Sequence, residues 1–588
     1  MREYSVPVLV DVPASASLPD TVFRRAEQEP GGVVMRRKSG GGWPAVTAAE
    51  FRDQVVELAK GLIAAGVEHG DRVALMSRTR YEWTLIDYAI WSVGAVTVPI
   101  YETSAVEQVR WILSDSEPKA VFVELDTHEE TVREAAPGLK PVWRVDETLD
   151  GSGVDDAVFE ERRARVGSAD LATVVYTSGT TGRPKGCRIT HDNLLFTARN
   201  VVAGPLEQLF TAKGTAALLF LPLAHIFARM IQVAIIEAGA ILAHTPNMKN
   251  VAPDLAEFQP TFLLGVPRVF EKVYNGAEQR AIAGGKGAIF ARAVDTAVAW
   301  SKAESSGGAG LGLRLRHALF DRLVYGKLRA ATGGRLSAAV CGGSALGDRL
   351  GHFFRGVGIE VFEGYGLTET SAPCSVNMPG ANKIGTVGKP LPGVTIRIAD
   401  DGEILAKGRH VFHGYWHNDQ ATADAIDAGG WYHTGDVGEL DADGYLRITG
   451  RKKEILVTAA GKNVAPGPLE DALRAHPLIS QAMIVGDGQP FVATLITLDP
   501  EALDQWKTAN GLPSATLSEL RADPRVLAEV QKAVDTANRA VSKAEQIKKF
   551  AVLDVDITED SGHLTPTLKI KRNVVMRDFA EDVDALYK

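Results

Sequence analysis

The chain has 588 residues, of which 45% are hydrophobic and 23% are charged. This length exceeds the size at which one hydrophobic core usually keeps growing, so we expect a large domain and at least one smaller one, and the composition excludes bulk disorder. The formal net charge of -9 gives no broad attraction to phosphate backbones, so no nucleic-acid partner is expected.

The N-terminal residues MREYSVPVLVDVPASA include acidic residues and prolines before any apolar core of signal-peptide length forms, so export is not expected. Residues 216–243 are the most lipid-like segment, but proline and charged residues interrupt them, and we interpret them as buried core and not as a transmembrane segment. The cysteines show neither pairing nor metal-ligand spacing, which predicts a reducing, cytoplasmic location and no zinc site. They are Cys187, Cys341 and Cys374.

From residue 47 to about residue 141, helical patterns alternate with the apolar runs RVALMS, AVTVPI and KAVFVEL, as in the βα units of a parallel sheet. The run TFLLGVPRVFEKV and the amphipathic spacing of residues 290–300 predict a strand, a turn and helices. The segment AESSGGAGLGL predicts an exposed flexible insertion. The first domain is therefore predicted to be α/β.

The pattern changes near Gly450, where short strands and turns precede a compact αβ pattern, LEDALRAHPLISQAMIVG and FVATLITL. Residues 517–550 are strongly charged with helical spacing, which predicts a solvated helical face or hairpin. We therefore predict a large domain over residues 1–450 and a second, smaller α/β domain over residues 451–588.

The segment YTSGTTGRPKG, residues 176–186, follows the apolar strand LATVVY and precedes a helix expected near His191. Glycines let the backbone approach phosphate oxygens, hydroxyls donate hydrogen bonds, and a lysine adds positive charge. The alternative is an ordinary polar turn, and the spacing excludes a Walker A loop. The candidate phosphate-binding residues are Thr177, Ser178, Gly179, Thr180, Thr181, Gly182 and Lys185.

YTSGTTGRPKG resembles the phosphate-loop signature of the adenylate-forming superfamily, which includes acyl-CoA synthetases, luciferases and peptide-synthetase adenylation domains. Further segments resemble the other signatures of that family in the same order, so the resemblance covers nearly the whole chain. They are LPLAHIFAR (221–229), GYGLTET (364–370), GTVGKPLPG (385–393), GWYHTGDVGELDADGYLRITGRKK (430–453) and LTPTLKIKR (564–572). QPTFLLGVPRVFEKV (259–273) is similar to the corresponding stretch of long-chain members.

This resemblance implies a large N-terminal domain of β-sheets flanked by helices and a small mobile C-terminal α/β domain, with the active site between them. It implies activation of a fatty acid with ATP and Mg²⁺, followed by acyl transfer to coenzyme A as cosubstrate. Rotation near Lys453, at the family's hinge position, would serve the two half-reactions, and the loop near Gly461 would then turn toward coenzyme A.

The resemblance also implies roles at the reacting groups. Glu369 and Thr177 would hold magnesium through oxygen ligands, and Thr368 would approach the α-phosphate and the carboxylate. Lys569 would stabilise the charge that develops during adenylation. In the family's C-terminal motif a glycine commonly precedes this lysine, whereas here Leu568 does.

The nucleotide-binding residues are implied in the same way. A tyrosine face would stack on adenine beside the GGSAL segment, with a core aromatic as the alternative, and an aspartate and an arginine would hold the ribose hydroxyls. These candidates are Gly343, Ser344, Ala345, Glu363, Gly364, Tyr365, Asp436 and Arg451.

Several candidates are weaker. His225 lies between apolar residues and is assigned only to the wall of the acyl pocket. Met230 and the apolar positions after it line a tunnel or pack the core, and periodicity does not separate these alternatives. Lys571 and Arg572 are secondary candidates beside Lys569.

Two other functions compete with the acyl-CoA ligase. One is a fatty acyl-AMP ligase that loads a carrier-protein phosphopantetheine, and the other is a lipid-binding module that keeps the fold without the chemistry. Peripheral membrane contact is left open beside a purely cytoplasmic location. No oligomeric state is assigned.

Overall fold

The computed structural model describes residues 1–177, 183–565 and 568–588. Its strands are, in chain order, β1 Glu3–Ser5, β2 Val33–Arg36, β3 Ala45–Thr47, β4 Arg72–Met76, β5 Val96–Ile100, β6 Ala120–Val123, β7 Val142–Arg144, β8 Leu171–Thr177, β9 Lys185–Thr190, β10 Ala216–Leu219, β11 Ile241–His244, β12 Phe262–Gly265, β13 Ala338–Cys341, β14 Glu360–Leu367, β15 Ala372–Val376, β16 Lys389–Pro390, β17 Thr395–Ile398, β18 Glu403–Lys407, β19 Tyr432–Leu440, β20 Leu446–Arg451, β21 Leu456–Val457, β22 Asn463–Val464, β23 Ile479–Val485, β24 Val492–Leu498 and β25 Ile547–Val552.

The α-helices are α1 Asp20–Gln28, α2 Ala48–Ala64, α3 Tyr81–Ser92, α4 Val106–Ser116, α5 Asp126–Ala135, α6 Asp156–Ala164, α7 His191–Val202, α8 Glu207–Thr211, α9 Ile226–Ala238, α10 Val251–Phe258, α11 Pro267–Ala283, α12 Gly287–Glu304, α13 Leu311–Phe320, α14 Gly326–Ala331, α15 Asp348–Val357, α16 Asp419–Ala425, α17 Pro466–Arg474, α18 Pro500–Ala509, α19 Leu517–Leu520, α20 Pro524–Asn538, α21 Arg572–Asp578 and α22 Ala580–Tyr587. A π-helical turn, Asp321–Tyr325, joins α13 to α14, and 3-10 turns lie at Met248–Asn250 and Thr368–Thr370.

Two sheets, both largely parallel, form the main body of the molecule. Within the described ranges, one has the order β16-β15-β14-β13-β12-β10-β11-β2-β3 and the other β7-β6-β4-β5-β8-β9. The runs RVALMS, AVTVPI and KAVFVEL supply β4, β5 and β6, which pair in parallel and are almost fully buried. Continuous apolar strands of this kind are typical of sheets covered by helices. The α/β prediction is confirmed.

The strands after β16, together with β1, form smaller sheets. The order β1-β17-β18-β19-β20 is antiparallel throughout. The predicted αβ pattern after residue 450 corresponds to α17, β23 and β24, and β24 pairs in parallel with β25. The nucleotide-binding candidates on β19 and β20 therefore come from an antiparallel sheet that precedes the C-terminal segment.

The segment 216–243 forms β10, α9 and β11 and is buried along almost its whole length, as predicted. Arg229 on α9 is fully buried, and its Nε donates to Asp87 Oδ2 at 2.8 Å. Its Nη1 donates to Thr173 Oγ1 at 2.6 Å, and its guanidinium lies over two tryptophan rings. A charge inside a core must be paired in this way.

Two predicted segments differ from the structure. The exposed turn in AESSGGAGLGL is shorter than predicted, because α12 continues to Glu304 and α13 begins at Leu311. Residues 517–550 are helical only as far as Asn538, and their last part forms the strand β25. The second error arises because strand pairing overrides local composition and spacing.

The buried hydrophobic residues separate along the chain. Within the described residues, the largest cluster and the side chains packed on it extend to Ile448, whereas two further clusters begin at Leu456 and Met483. Polar contacts join the part of the chain up to Ile448 to the part from Leu456 onward. They include Arg268 with Asp499 at 2.7 Å, Arg349 with the Ala475 carbonyl at 3.2 Å, Gln505 with Gln279 at 3.1 Å, and Thr103 with Glu559. The boundary between residues 450 and 451 stays a prediction.

The three cysteines are free and buried. Among the helices that the structure describes, none is both long enough and apolar enough to cross a bilayer.

Candidate active site

The phosphate-loop candidates lie between two paired strands. Thr177 ends β8 and Lys185 begins β9, and the two residues face each other in the antiparallel register. The hairpin therefore brings the Thr177 hydroxyl and the Lys185 ammonium to the same edge of the sheet. The other candidates of this loop, Ser178, Gly179, Thr180, Thr181 and Gly182, lie outside the described residues.

Glu369 lies in the 3-10 turn that follows β14, together with Thr368, and both are half-buried. The Tyr415 hydroxyl donates to Glu369 Oε1 at 2.9 Å, and the Lys185 Nζ lies 4.6 Å from the centroid of the Tyr415 ring. Burial and then the Glu369 charge raise the pKa of Tyr415, which keeps its hydroxyl a donor. Tyr415 thus connects the glutamate to the phosphate-loop lysine.

A second polar cluster joins the adenine and ribose candidates. The Tyr365 hydroxyl donates to Asp436 Oδ2 at 2.6 Å, and Arg451 Nε donates to Asp436 Oδ1 at 2.8 Å. Asp436 on β19 and Arg451 on β20 are register partners, which explains why residues 15 positions apart meet. A carboxylate offers about four acceptor positions, so the buried Asp436 keeps acceptor capacity beyond these two donors.

Ionisation in this cluster follows from burial and from the shared carboxylate. Burial and then the neighbouring Asp436 charge raise the pKa of Tyr365, so its hydroxyl stays protonated. Burial lowers the pKa of Arg451, but Asp436, together with Glu454 and Tyr365, raises it on balance. The cluster therefore holds one anion between a neutral donor and a cation.

The GGSAL segment packs beside β14, as expected. The backbone N–H of Leu346 donates to Glu363 Oε1 at 2.8 Å, and burial raises the pKa of Glu363 to about 7. Gly343 has φ 89°, a conformation that glycine adopts without strain. Gly343, Ser344 and Ala345 are exposed beside this glutamate. The loop therefore presents backbone and small side chains to a ligand.

Lys569 enters the same region from the C-terminal segment. Lys569 is exposed, yet the protein atoms around its ammonium lower its pKa, and the nearby Arg451 charge lowers it further. The opposing effects on this pKa come from Asp436, Glu454 and Glu369. The structure therefore brings Lys569 close to both polar clusters.

The turn that carries Lys569 has an unusual backbone. Leu568 has φ 61°, the left-handed region that glycine adopts most easily. The Lys569 N–H donates to Thr565 Oγ1 at 3.1 Å, and the Thr565 N–H donates to the Lys569 carbonyl at 2.8 Å. The leucine noticed in the sequence thus occupies the position where a glycine would be least strained.

His225 immediately precedes α9 and lies near Lys569. Its Nδ1 accepts from the Phe227 N–H at 3.2 Å, and it thereby caps the helix. Burial and then the Lys569 charge lower the pKa of His225 to about 4, so the ring is neutral near pH 7. A Cβ added at Gly342 would lie 3.0 Å from the Phe227 ring, which places an aromatic wall against the GGSAL segment.

Three further candidates are Lys453, Arg572 and Met230. Lys453 is exposed in the turn after β20. Arg572 Nη2 donates to both carboxylate oxygens of Glu470 at 2.6 Å, so it supports the C-terminal fold. Met230 is fully buried within the main hydrophobic cluster. These contacts give Arg572 and Met230 structural roles in packing and pairing.

Sequence reasoning missed Tyr415, Glu454 and Phe227. Tyr415 lies 46 residues from the Glu369 that it contacts, and no motif singles it out. Glu454 follows GRKK directly, and its carboxylate lies 3.7 Å from Arg572 and near enough to Lys569 to raise its pKa. Only Phe227 lay inside a motif that was already identified.

Comparison with known proteins decides the family. A family model described as AMP-binding enzyme matches residues 22–416, and one described as AMP-binding enzyme C-terminal domain matches residues 453–588. The chain belongs to the AMP-binding enzyme family. A curated relative, the long-chain-fatty-acid–CoA ligase FadD15 of Mycobacterium bovis, is 52% identical over 600 residues, covering 100% of both chains.

Solved structures share the fold of this AMP-binding enzyme. An anthranilate CoA ligase, AuaEII, in complex with anthranoyl-AMP has a TM-score of 0.72 at 18% identity, covering 98% of this chain and 99% of that one. O-succinylbenzoate coenzyme A synthetase (MenE) from Bacillus subtilis, in complex with ATP and magnesium ion, has a TM-score of 0.67 at 20% identity, covering 94% and 98%. The predicted family and fold are confirmed.

Proposed function

We propose that this enzyme activates a long-chain fatty acid with ATP and transfers the acyl group to coenzyme A. The observation that carries the proposal is the convergence of Lys569, Glu369 and Asp436, which come from separate parts of the chain, on one region. The name of the full-length relative, a long-chain-fatty-acid–CoA ligase, supports the same activity. ATP, magnesium and coenzyme A are the partners that this chemistry requires.

In the first half-reaction a carboxylate oxygen of the fatty acid attacks the α-phosphorus of ATP, and pyrophosphate leaves. Two anions must approach each other, so the reaction needs cations at the point where charge develops. The Lys569 ammonium supplies one, and Thr368 adds a hydroxyl donor. In the second half-reaction the thiolate of coenzyme A attacks the acyl carbonyl carbon, and AMP leaves.

The polar cluster of Tyr365, Asp436 and Arg451 orients the nucleotide. The remaining acceptor capacity of Asp436 suits two ribose hydroxyls, and Arg451 donates beside it. The Tyr365 hydroxyl is already bonded to Asp436, so its ring is held in place and offers a face to adenine. The exposed backbone of residues 343–345 suits the adenine edge.

Glu369 and Thr177 fit a magnesium ion bound together with ATP. Both offer oxygen donors, and the Tyr415 hydroxyl orients Glu369 by donating to its carboxylate. Among the described residues no group of three His, Cys, Asp or Glu forms a complete metal cage. This fits a hard cation that takes one or two protein ligands and otherwise binds substrate phosphates and water. When bound, magnesium neutralises phosphate charge.

The C-terminal domain, residues 451–588, is proposed to rotate near Lys453 between the half-reactions. Its hydrophobic clusters are separate from the main one, which supports movement as a unit. The orientation described here suits adenylation because Lys569 lies near the nucleotide cluster. In the thioester-forming orientation, Lys569 would leave and the loop near Gly461 would approach coenzyme A.

The acceptor test separates this function from its closest competitor. The purified enzyme with ATP, magnesium and palmitate should form acyl-CoA when coenzyme A is present, and mass spectrometry should detect it. A phosphopantetheinylated carrier protein replaces coenzyme A in the matched reaction. Thioester on the carrier alone would identify a fatty acyl-AMP ligase. Absence of pyrophosphate exchange in either reaction would instead favour a lipid-binding module.

The substitution Glu369→Gln keeps the side-chain size but removes the charge facing magnesium. We expect its rate of ATP–pyrophosphate exchange at limiting magnesium to fall by roughly tenfold or more. Tyr415→Phe, which removes only the hydroxyl donated to Glu369, should shift the magnesium dependence in the same direction by less. Wild-type exchange by Glu369→Gln at limiting magnesium would contradict the role, and circular dichroism controls for folding.

For location, we propose a cytoplasmic enzyme that contacts membranes peripherally. A long-chain acid partitions into bilayers, so an enzyme that consumes it gains from access to their surface. Cell fractionation with a salt wash tests this proposal.

A further inference from the structure

Helix α13 exposes an apolar side to solvent. Leu311, Leu315, Leu319 and Leu323, here called the leucine stripe, have 80%, 73%, 55% and 47% of their surface exposed. No residue of α13 is buried. A soluble helix normally turns its leucines toward the core, so a row of four exposed ones requires an explanation.

The leucine stripe lies along one side of a continuous helical rod. An α-helix advances about 100° per residue, so Leu311, Leu315 and Leu319 fall within a sector of about 80°. The π-helical turn Asp321–Tyr325 has more residues per turn, which partly reverses the drift and keeps Leu323 on the same side. The stripe is therefore a surface and not scattered side chains.

The opposite side of this rod is firmly packed. The His317 ring stacks on Trp300 with centroids 4.5 Å apart, and His317 Nε2 donates to the Gly356 carbonyl at 2.7 Å. The Tyr325 hydroxyl donates to the Ala293 carbonyl at 2.6 Å. The main hydrophobic cluster therefore already uses the inner side, and the leucine stripe is left outside.

Basic side chains border the stripe. At about 100° per residue, Arg314 and Arg316 fall on either side of the sector that holds the leucines, and Arg322 and Lys327 follow along the rod. All four are exposed, and none forms an ion pair within the described ranges of the chain. The acid nearest to them in sequence, Asp321, pairs with Arg329 at 2.7 Å. In a chain of net charge -9, this is a local concentration of free positive charge.

We propose that the leucine stripe and its basic border dock on the surface of a bilayer that contains anionic lipids. The leucines enter the boundary between headgroups and acyl chains, and the arginines and the lysine contact lipid phosphates. A narrow apolar row between two basic edges suits a helix lying in the membrane plane. A protein partner would have to match both the row and its positive border. This docking surface would provide the peripheral membrane contact of the proposed function, and it does not depend on the chemistry of the candidate active site.

Flotation of the full-length enzyme with phosphatidylglycerol vesicles tests the docking. We expect binding that weakens with added salt, and much weaker binding to vesicles of phosphatidylcholine alone. Equal binding to both vesicles, or none to either, would overturn the proposal.

Paired variants test the surface itself. Leu315→Glu/Leu319→Glu should weaken vesicle binding by roughly tenfold or more, because it puts charge into the apolar row. The matched control Val158→Glu/Val555→Glu changes two other exposed apolar residues and should bind like the wild type. Arg314→Gln/Arg316→Gln should weaken binding by about tenfold or more, and Lys213→Gln/Lys543→Gln is its charge-matched control. Unchanged binding by the leucine variant would overturn the proposal.

Two further measurements keep the outcomes separate. All variants should activate octanoate supplied in solution at the wild-type rate, while Leu315→Glu/Leu319→Glu should lose rate on palmitate held in vesicles. Loss of activity on both octanoate and palmitate would point to a defect in folding or in the proposed activity, and not in the docking surface. Light scattering tests whether a second copy of the chain covers the leucine stripe instead. A wild-type dimer that becomes a monomer in Leu315→Glu/Leu319→Glu would show this and would overturn membrane docking.

Discussion

Replacing Lys569 with alanine should slow formation of the acyl adenylate by on the order of a hundredfold or more, the scale at which loss of one electrostatic stabiliser acts. Lys569 is the cation that the C-terminal segment contributes within reach of the charges of Asp436, Arg451 and Glu369. Because the charge it stabilises exists only during adenylation, the second half-reaction should not need it. ATP–pyrophosphate exchange measures the first step alone.

The second half-reaction supplies the control. With synthetic acyl-AMP and coenzyme A, Lys569→Ala should form thioester at nearly the wild-type rate. The matched variant Lys571→Ala changes a lysine two positions away and should retain adenylation. Loss of both half-reactions in Lys569→Ala would indicate misfolding or another role. Unimpaired adenylation would reject the assignment and make Lys571 the next residue to test.

The second large effect concerns the acid. We expect the enzyme to prefer palmitate to acetate by several hundredfold or more in kcat/KM. Each buried methylene contributes roughly 0.8 kcal/mol, or about fourfold, so burial of only a few methylenes reaches this ratio. The Phe227 ring beside the GGSAL segment is an apolar wall of the candidate site that supports such burial.

Coupled detection of AMP release across acids of increasing length measures the preference. The rise in kcat/KM per added methylene should be steep for the first acids and should level off where the chain is fully enclosed. Octanoate marks an intermediate point that stays in solution. Equal kcat/KM on acetate and palmitate would contradict the expected preference.

Much of the fold was accessible from the sequence because its signals were local. The runs RVALMS, AVTVPI and KAVFVEL are continuous and apolar, and they form the buried parallel strands β4, β5 and β6. Residues 547–552 show why other segments failed: their composition, IKKFAV, is charged, and only pairing with β24 makes them a strand. Such pairing across more than 50 residues leaves no local signal.

The candidate site divides in the same way. Motifs indicated Asp436 and Arg451, and strand register explains why they meet. The role of Tyr415 was not predicted, because its contact with Glu369 joins residues 46 positions apart and depends on the tertiary structure. The leucine stripe was not predicted for a different reason. Leucines that recur every four residues normally indicate the helix side that faces the core, and only the packing of His317 and Tyr325 shows that the core lies on the other side.

The polar character of the contacts between the two parts of the chain determines what their separation costs. Arg268 with Asp499, and Gln505 with Gln279, exchange a protein partner for water when they part, and each such exchange costs only about 1 kcal/mol. No hydrophobic cluster in the described part of the chain includes residues from both domains. Rotation of the C-terminal domain therefore exposes no hydrophobic core to solvent. Water therefore replaces the protein partners of the polar groups that rotation separates. The adenylation and thioester-forming orientations can then lie close in free energy.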